Sequence, residues 1–404
     1  MTETVTSMDL FAGCGGLSLG LHRSGFNHLG LVEYNRHACA TLRLNGERLS
    51  LDWPVFETDV RAFDYDTFVD RVDLLAGGAP CQPFSLGGRH RADQDGRNMF
   101  PEVFRAIRAL RPKMVLLENV RGLKRESFRP YFNYILSQLR TPHIAPREGE
   151  DWRDHYARVE AHQASVRLID LSATYTVHER TLHAPDYGVP QSRYRVIMVA
   201  VRDDTADDWS YPEPTHTRER LLWDQFVTGE YWEDHGLTPL APNPRLEPAV
   251  HRLKSMVVAP HGKRWLTLRD AIAGLPEPVN GVATPGYDFH IGIPGARVYV
   301  GHTGNSLDAP AKTIKAGDHG NPGGEHILIR DDGSLRYFTV RESARVQAFP
   351  DDYAFAGSRT EAMRQIGNAV PVTLAEVIGR QLRKTLSWRI GDTLQRRDRM
   401  VTAD

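Results

Sequence analysis

The sequence predicts an α/β fold: a parallel sheet with helices on both faces, joined to a second, less regular domain. Three observations predict it. Short, continuously apolar runs alternate with helical patterns through the first 120 or so residues, as in strands buried on both faces. A glycine turn, an acid or a cysteine stands at the C-terminal end of each run, where such sheets bind ligands. Beyond about residue 202 the periodicity weakens and prolines and tryptophans scatter.

The elements follow in order. Residues 5–12, VTSMDLFA, read as a first strand that enters the glycine turn GCGG and a helix. Residues 29–33, LGLVE, give a second strand ending on Glu33, and residues 55–59, VFETD, a third ending on Asp59. Residues 72–76, VDLLA, form a fourth, followed at once by GGAPCQPFS. Residues 114–118, MVLLE, form a fifth ending on Glu118, and residues 195–201, RVIMVAV, a later one. Helical patterns cover 34–46 and 100–111. The polar stretch 141–170 reads as an inserted helix or loop. Residues 203–340 read as a domain of long loops suited to variable recognition. Regularity returns at 339–349, TVRESARVQAF, where Thr339 and Glu342 match a capping box and Pro350 closes the helix. Thr373 and Glu376 match a second box.

Composition narrows the class. The chain has 404 residues, 41% hydrophobic and 25% charged, enough for two domains. No apolar run approaches the ~20 residues of a membrane span, and MTETVTSMDLF lacks the pattern of a secretory signal. Cys14, Cys39 and Cys81 are an odd set without metal-ligand spacing, so neither disulfides nor a zinc site are expected and a reducing cytoplasm fits. Net charge is −1, but its distribution is uneven. Residues 1–80 carry 6 Arg and Lys against 11 Asp and Glu, whereas residues 81–147 carry 13 against 5. Arg89, Arg91, Arg97, Arg121, Lys124 and Arg125 belong to that basic stretch, which can hold phosphates or form solvated helix faces.

Several constellations carry chemistry. Gly13, Gly15 and Gly16 let a ligand approach the first turn closely, although Ser18 stands where a dinucleotide fingerprint has its third glycine. Glu33 can accept from ribose hydroxyls and Asp59 from an adenine amino group, which suits an adenosyl ligand without a phosphate cradle. Buried cysteines are commonly inert packing groups, but Cys81 lies between Pro80 and Pro83 in a rigid loop at a strand end, heading the basic stretch that favours its thiolate. Glu118 can share a proton with whatever Cys81 attacks, or cap the turn near Asn119. Gln191, Arg193 and Arg195 alternate in QSRYR and so are expected on one face, gripping an anionic backbone or a carbonyl oxygen or solvating an edge strand.

With these residues in place, the sequence resembles the bacterial-type DNA (cytosine-5)-methyltransferases of restriction-modification systems. DLFAGCGGLSLGL, the acids Glu33 and Asp59, GGAPCQPFS, ENV at 118–120, QSRYRVIMV, RESARVQAFPDDY and GNAVPVTLAEVIG follow that family's motif order across most of the chain. The resemblance implies a Rossmann-like S-adenosylmethionine-dependent methyltransferase sheet, formed by residues 1–202 and 364–404, with an irregular target-recognition domain at 203–363 and DNA between the two. It implies S-adenosylmethionine as methyl donor, S-adenosylhomocysteine as product, and no metal. Cofactor contacts would be Phe11, Ala12, Gly13, Gly15, Gly16, Leu17, Glu33, Tyr34, Asp59, Val60, Pro80, Asn368 and Val370. Cys81 would add to C6 of a flipped cytosine, Glu118 would donate to N3, Arg195 would hold O2, and Arg193 would join this catalytic set. Gln82, Ser85, Arg89, Arg97 and Gln191 would touch DNA, with Gly87 and Gly88 as the hinge of a closing loop. Arg297, Lys312, Lys315, His319 and Arg330 are the basic candidates within the recognition domain.

The implied partners are double-stranded DNA, bound by a monomer in the bacterial cytoplasm or nucleoid without a membrane, and a cognate restriction endonuclease. Three other readings stay open here. A transfer-RNA cytosine-5 methyltransferase shares PCQPF-like and ENV motifs, but the roughly 140 residues before RESARVQAF favour sequence-specific DNA. A catalytically silent DNA-binding regulator would not need the full catalytic set. A nicotinamide-binding oxidoreductase leaves PCQPFS unexplained.

Overall fold

The computed structural model describes residues 4–80, 98–165, 170–205, 209–297, 303–316 and 326–401, with side chains through 386 in the last helix. The chain forms two compact units. The first comprises Met1–Leu182, Tyr194–Pro212 and Ala375–Asp404, and the second His183–Arg193 and Glu213–Leu374. The chain thus leaves the first unit for eleven residues at His183–Arg193, a detour with no signature in the sequence, and its C-terminal return begins at Ala375 rather than at 364.

The first unit is built on a seven-stranded sheet. In chain order its strands are β1 (Val5–Leu10), β2 (Phe26–Glu33), β3 (Val55–Glu57), β4 (Leu74–Gly77), β5 (Met114–Val120), β6 (Tyr175–His183) and, after the two-residue β7 (Gln191–Ser192) of the second unit, β8 (Tyr194–Arg202). Their spatial order is β3-β2-β1-β4-β5-β8-β6. Strands β1 to β5 pair in parallel, whereas β8 runs antiparallel to β5. The sheet is therefore mixed, where the sequence predicts a parallel one.

Helices α1 (Gly16–Arg23), α2 (Arg36–Arg48), α3 (Phe100–Leu110) and α4 (Arg129–Arg140) accompany the strands. Asn35 starts α2 by accepting from the amides of His37 and Ala38, each at 3.1 Å. Met8, Leu10, Leu75, Val115, Leu117 and Met198 from the sheet and Val103, Ile107 and Ile135 from α3 and α4 share one buried core. Each such side chain contributes about 1.5–3 kcal/mol through burial. The polar stretch 141–170 holds a helix, α5 (Trp152–Ser165), that packs on α4. Tyr134 and Trp152 meet with ring centroids 5.6 Å apart, and the Tyr134 hydroxyl lies 2.9 Å from His155 Nδ1.

The second unit is irregular, as expected. Its helices are α6 (Arg218–Trp223), α7 (Glu230–Asp234), α8 (Glu247–Lys254), α9 (Leu268–Ile272), α10 (Val340–Val346) and α11 (Arg359–Asn368). Its other strands are very short: β9 (His216–Thr217) pairs with β10 (Lys263–Arg264), and β11 (Asn305–Ser306), β13 (Ile327–Ile329) and β14 (Leu335–Tyr337) form a small sheet. β12 (Ala311–Lys312) pairs with β7. Thr339 caps α10 through the expected box, its amide donating 2.8 Å to Glu342, whose amide returns 3.1 Å to the Thr339 hydroxyl. Thr373 caps nothing, because the final helix, α12 (Val372–Val401), already includes it. Within the first unit Gly379 of α12 sits against Ser24, where a side chain would collide, and Arg383 donates to the Gly25 carbonyl.

Candidate active site

The strand order reverses direction at β1, so the carboxyl ends of β1 and β4 flank the crevice where such sheets take ligands. Leu10 pairs with Gly77, and Gly77 with Leu117. The residues just beyond, Phe11, Gly78 and Glu118, therefore share one edge with Glu33, which ends β2.

After β1 the chain turns sharply. Phe11, Gly13 and Gly15 all have positive φ, at 58°, 54° and 84°. Gly13 and Gly15 adopt this without a Cβ penalty, whereas Phe11 spends strain, as residues at functional sites commonly do. A Cβ on Gly13 would meet nothing nearer than the Phe11 carbonyl at 4.0 Å, so open space lies in front of the turn. The buried Glu33 carboxylate accepts from the Gly13 amide at 2.9 Å and the Asn35 amide at 2.8 Å. Its backbone carbonyl accepts from Thr58 at 3.0 Å, which orders the turn carrying Asp59. Asp59 caps the following turn by accepting from the Arg61 amide at 2.9 Å and pairs with the Arg61 guanidinium, whose hydrogen bonds hold its carboxyl below the ordinary range. Tyr34, next to Glu33, is 70% exposed.

Beneath the turn lies a carboxyl the sequence analysis did not single out. Asp9 is fully buried and accepts from Ser18 Oγ at 2.6 Å, so Ser18 uses its small size and its hydroxyl where a third glycine would stand. Burial, opposed by the Ser18 bond and reinforced by the Glu33 charge, raises the Asp9 carboxyl from 3.8 to about 7. The folded chain thus retains a proton that the unfolded chain loses above 3.8. The stability from this site is fully present below that value and is lost as pH rises towards 7, a span of about 4 kcal/mol at ~1.4 kcal/mol per pH unit. Asp9→Asn fixes a neutral group there. Its stability relative to the parent should grow between pH 4 and 7 and level off above, as read by denaturant unfolding across pH. Parallel curves would show that Asp9 keeps an ordinary pKa.

At the other side of the crevice, Glu118 and Arg195 form a buried ion pair. The pairing register explains it: Val120 faces Arg195 across the β5–β8 ladder, so Glu118 and Arg195 are diagonal neighbours on one face. Arg195 also donates 2.8 Å to the Tyr194 carbonyl. Asn119 donates 3.1 Å to the Ala79 carbonyl, pinning the chain two residues before Cys81 to the strand that carries Glu118. A Cβ on Gly78 would come within 3.5 Å of Glu118, so the segment passes close to that carboxyl. Cys14 and Cys39 are buried thiols, each pushed up to about 12 chiefly by desolvation, and are poor nucleophiles.

In the second unit, Arg193 is 1% exposed. It donates to the carbonyls of Ile314 at 2.9 Å, Gly367 at 2.8 Å and Ala369 at 3.2 Å. Gln191 is equally buried, accepts from the Ile314 amide at 3.0 Å and donates to Gln347 at 3.0 Å. Gln347 in turn donates to the Ile366 carbonyl at 2.7 Å. QSR, the segment at 311–316, RVQAF and GNAVP are thus tied together by three polar side chains reading backbone groups. Gly367 is required there, because a Cβ would strike the backbone of Lys315 and Ala316. Of the three alternating residues, Gln191 and Arg193 are thus buried and held by backbone groups of the second unit, whereas Arg195 stands at the sheet edge of the first, paired with Glu118.

The profile of the C-5 cytosine-specific DNA methylases matches residues 5–142 and 154–384. The chain belongs to that family. The match skips 143–153, which lead into α5. Among curated methylases, the type II methyltransferase M.NgoMIV of Neisseria gonorrhoeae is 32% identical, covering 94% of this chain and 98% of its own length. The type II methyltransferase M.Eco47II of Escherichia coli is 34% identical, over 93% and 78% respectively. Among solved structures, the Dnmt2 methyltransferase of S. pombe shares the fold, with a TM-score of 0.54 at 16% identity over 95% of this chain and 99% of its own.

The remaining expected methylase residues fall as follows. Ala12 and Val60 are buried, Gly16 and Leu17 open α1, and Pro80 ends the described segment. In the second unit Asn368 is an exposed residue closing α11, and Val370 is buried. Lys312 donates 2.8 Å to the Thr303 hydroxyl, Lys315 and Arg297 are exposed, and Arg330 is engaged with Glu277 at 2.5 Å. Cys81, Gln82, Ser85, Arg89, Arg97 and His319 lie outside the described residues. Sequence reasoning missed Asp9 and its Ser18 partner, although a serine breaking a glycine motif after an acid-bearing strand was the available signal.

Proposed function

We propose that the carboxyl edge of the first unit's sheet methylates C5 of cytosine in double-stranded DNA, with Cys81 as nucleophile. The observation that carries this reading is the buried Glu118–Arg195 pair on the strand to which Asn119 pins the chain just before Cys81. C5 of cytosine is too weakly nucleophilic to take a methyl group unaided. Addition of the Cys81 thiolate to C6 makes C5 an enamine-type carbon. Glu118, after taking up a proton, passes it to N3 as the adduct forms, and Arg195 holds O2 and orients Glu118. Once C5 carries the methyl group, loss of its proton to a base expels Cys81, N3 returns its proton to Glu118, and the aromatic ring is restored. The target must leave the stack for this contact, so the site takes a flipped base.

S-adenosylmethionine fits the residues present. The open space before Gly13, the Glu33 oxygens and the exposed Tyr34 ring suit an adenosyl group, with Asp59 at the adenine end. Bound there, it supplies an electrophilic methyl group. Phe11, Ala12, Gly15, Gly16, Leu17, Val60, Pro80, Asn368 and Val370 complete the proposed cofactor set. Gln82, Ser85, Arg89 and Arg97 are the proposed DNA contacts of the loop after Cys81. The chain acts as a monomer on DNA in the bacterial cytoplasm or nucleoid. The type II names of its relatives support a place in a restriction-modification system with a cognate endonuclease.

The test is a methylome. The chain is expressed in a host that lacks cytosine-5 methylation, and the genome is sequenced after bisulfite conversion. One short motif methylated throughout is the expected result. An unmethylated genome from soluble protein, with new 5-methylcytosine in the host's transfer RNA, would overturn the DNA reading.

A further inference from the structure

The second unit carries a run of three consecutive exposed apolar residues. Between α8 and β10, Met256, Val257 and Val258 are 42%, 99% and 74% exposed. Three adjacent apolar side chains held out in water are costly unless something covers them. This loop is built rather than frayed. At its start the amides of Ser255 and Met256 bond the carbonyls of Arg252 and Leu253 at 3.2 and 3.0 Å. At its end the Lys263 amide bonds the Thr215 carbonyl at 2.9 Å, and Gly262, at φ +87°, leaves room for Thr215 where a Cβ would sit 3.1 Å from its oxygen.

Its charge is one-sided. From Pro248 to Arg269 there is no Asp or Glu. Arg252 and Lys254 precede the apolar tip and Lys263 follows it, all three exposed. Lys254 and Lys263 make no ion pair among the described residues, and Arg252 only reaches Glu219 at 4.0 Å. An apolar tip between cations matches a polyanion whose charges flank an apolar surface, which is the chemistry of a duplex groove bordered by phosphates.

We infer that the Met256–Val258 tip is a DNA-contacting element of the second unit, its side chains packing against sugar and base edges in a groove while Arg252, Lys254 and Lys263 hold the bordering phosphates. This rests on the DNA methyltransferase reading and adds to it a surface for the substrate outside the sheet edge. The tip gives contact area and the cations give register, so the two parts should fail differently when removed.

The experiment uses the full chain with S-adenosylhomocysteine and a fluorescent duplex carrying the methylated motif, with affinity measured against salt concentration. Lys254→Gln with Lys263→Gln should weaken binding and flatten the slope of log affinity against log salt by about 2, from about 0.9 per phosphate contact. Val257→Ser with Val258→Ser should weaken binding about tenfold at unchanged slope. Melting temperature and S-adenosylhomocysteine affinity should not move in either. Parental affinity and slope in both pairs would overturn the inference. So would a shift from dimer to monomer, or loss of binding to anionic vesicles, in the valine pair with DNA binding intact, since the tip would then serve a protein or a lipid surface. If the parent chain itself bound and methylated no duplex, the DNA reading would fail first.

Discussion

Replacing Cys81 with serine is expected to abolish methyl transfer while leaving the chain folded and able to bind duplex DNA. Addition to C6 needs an anionic nucleophile. A cysteine is a few per cent thiolate near neutrality even unassisted. A serine hydroxyl forms essentially no alkoxide at that pH, so the loss should be on the order of 10⁴-fold or more. Neither other thiol can substitute, since Cys14 and Cys39 are buried and pushed up to about 12. A duplex with 5-fluorocytosine at the target position makes the step visible. Fluorine leaves no C5 proton to lose, so the adduct persists after methylation and shifts the protein on a denaturing gel. The parent should shift and Cys81→Ser should not. A shifted serine variant would place the nucleophile elsewhere.

Glu118→Gln is expected to have the next largest effect. The amide keeps the size of the carboxyl and can still donate a hydrogen bond to N3, but it cannot transfer a proton there. Loss of general acid assistance lowers the single-turnover rate by about 10²–10⁴-fold, with little change in DNA affinity. The substitution also breaks the pair with Arg195, and leaving a buried cation uncompensated costs about 3–5 kcal/mol. The two effects separate in the double variant Glu118→Gln with Arg195→Met. It should regain most of the stability, because a buried pair is replaceable by apolar bulk, yet none of the activity. If Glu118→Gln lost stability alone and turned over at the parental rate, the pair would be structural.

Much of this was legible in the sequence because one strand carries one local pattern. The apolar runs of β1, β2, β4 and β5 are continuous, and the special residues follow each run directly, so DLFAGCGG, Glu33, GGAP and ENV mark the sheet edge on which the structure gathers Phe11, Glu33, Gly78 and Glu118. The capping box at Thr339 is legible for the same reason, since three residues suffice to define it. What was not legible depends on distant partners. Alternation in QSRYR suggested a single face for Gln191, Arg193 and Arg195. Whether an arginine in an edge-like segment faces water or backbone depends on what packs above it, here Ile314, Gly367 and Ala369, more than 120 positions away. The antiparallel direction of β8 is hidden likewise, because an apolar strand reads the same in both directions. Asp9 was passed over because a buried acid and a strand-end acid look identical until Ser18 is known to lie over it.

The reversed direction of β8 also sets the tolerance to which the two candidate catalytic side chains are aligned. Glu118 lies near the tail of one strand and Arg195 near the head of its neighbour, and the ladder between them runs unbroken from Met114–Val201 to Val120–Arg195. Their spacing is graduated by backbone hydrogen bonds in steps of one residue, and each step turns a side chain to the opposite face. Such a ruler has no intermediate settings. Drift in the surrounding loops cannot misalign the pair by a fraction of an ångström, whereas deleting one residue between Met114 and Glu118 would remove it from the edge altogether.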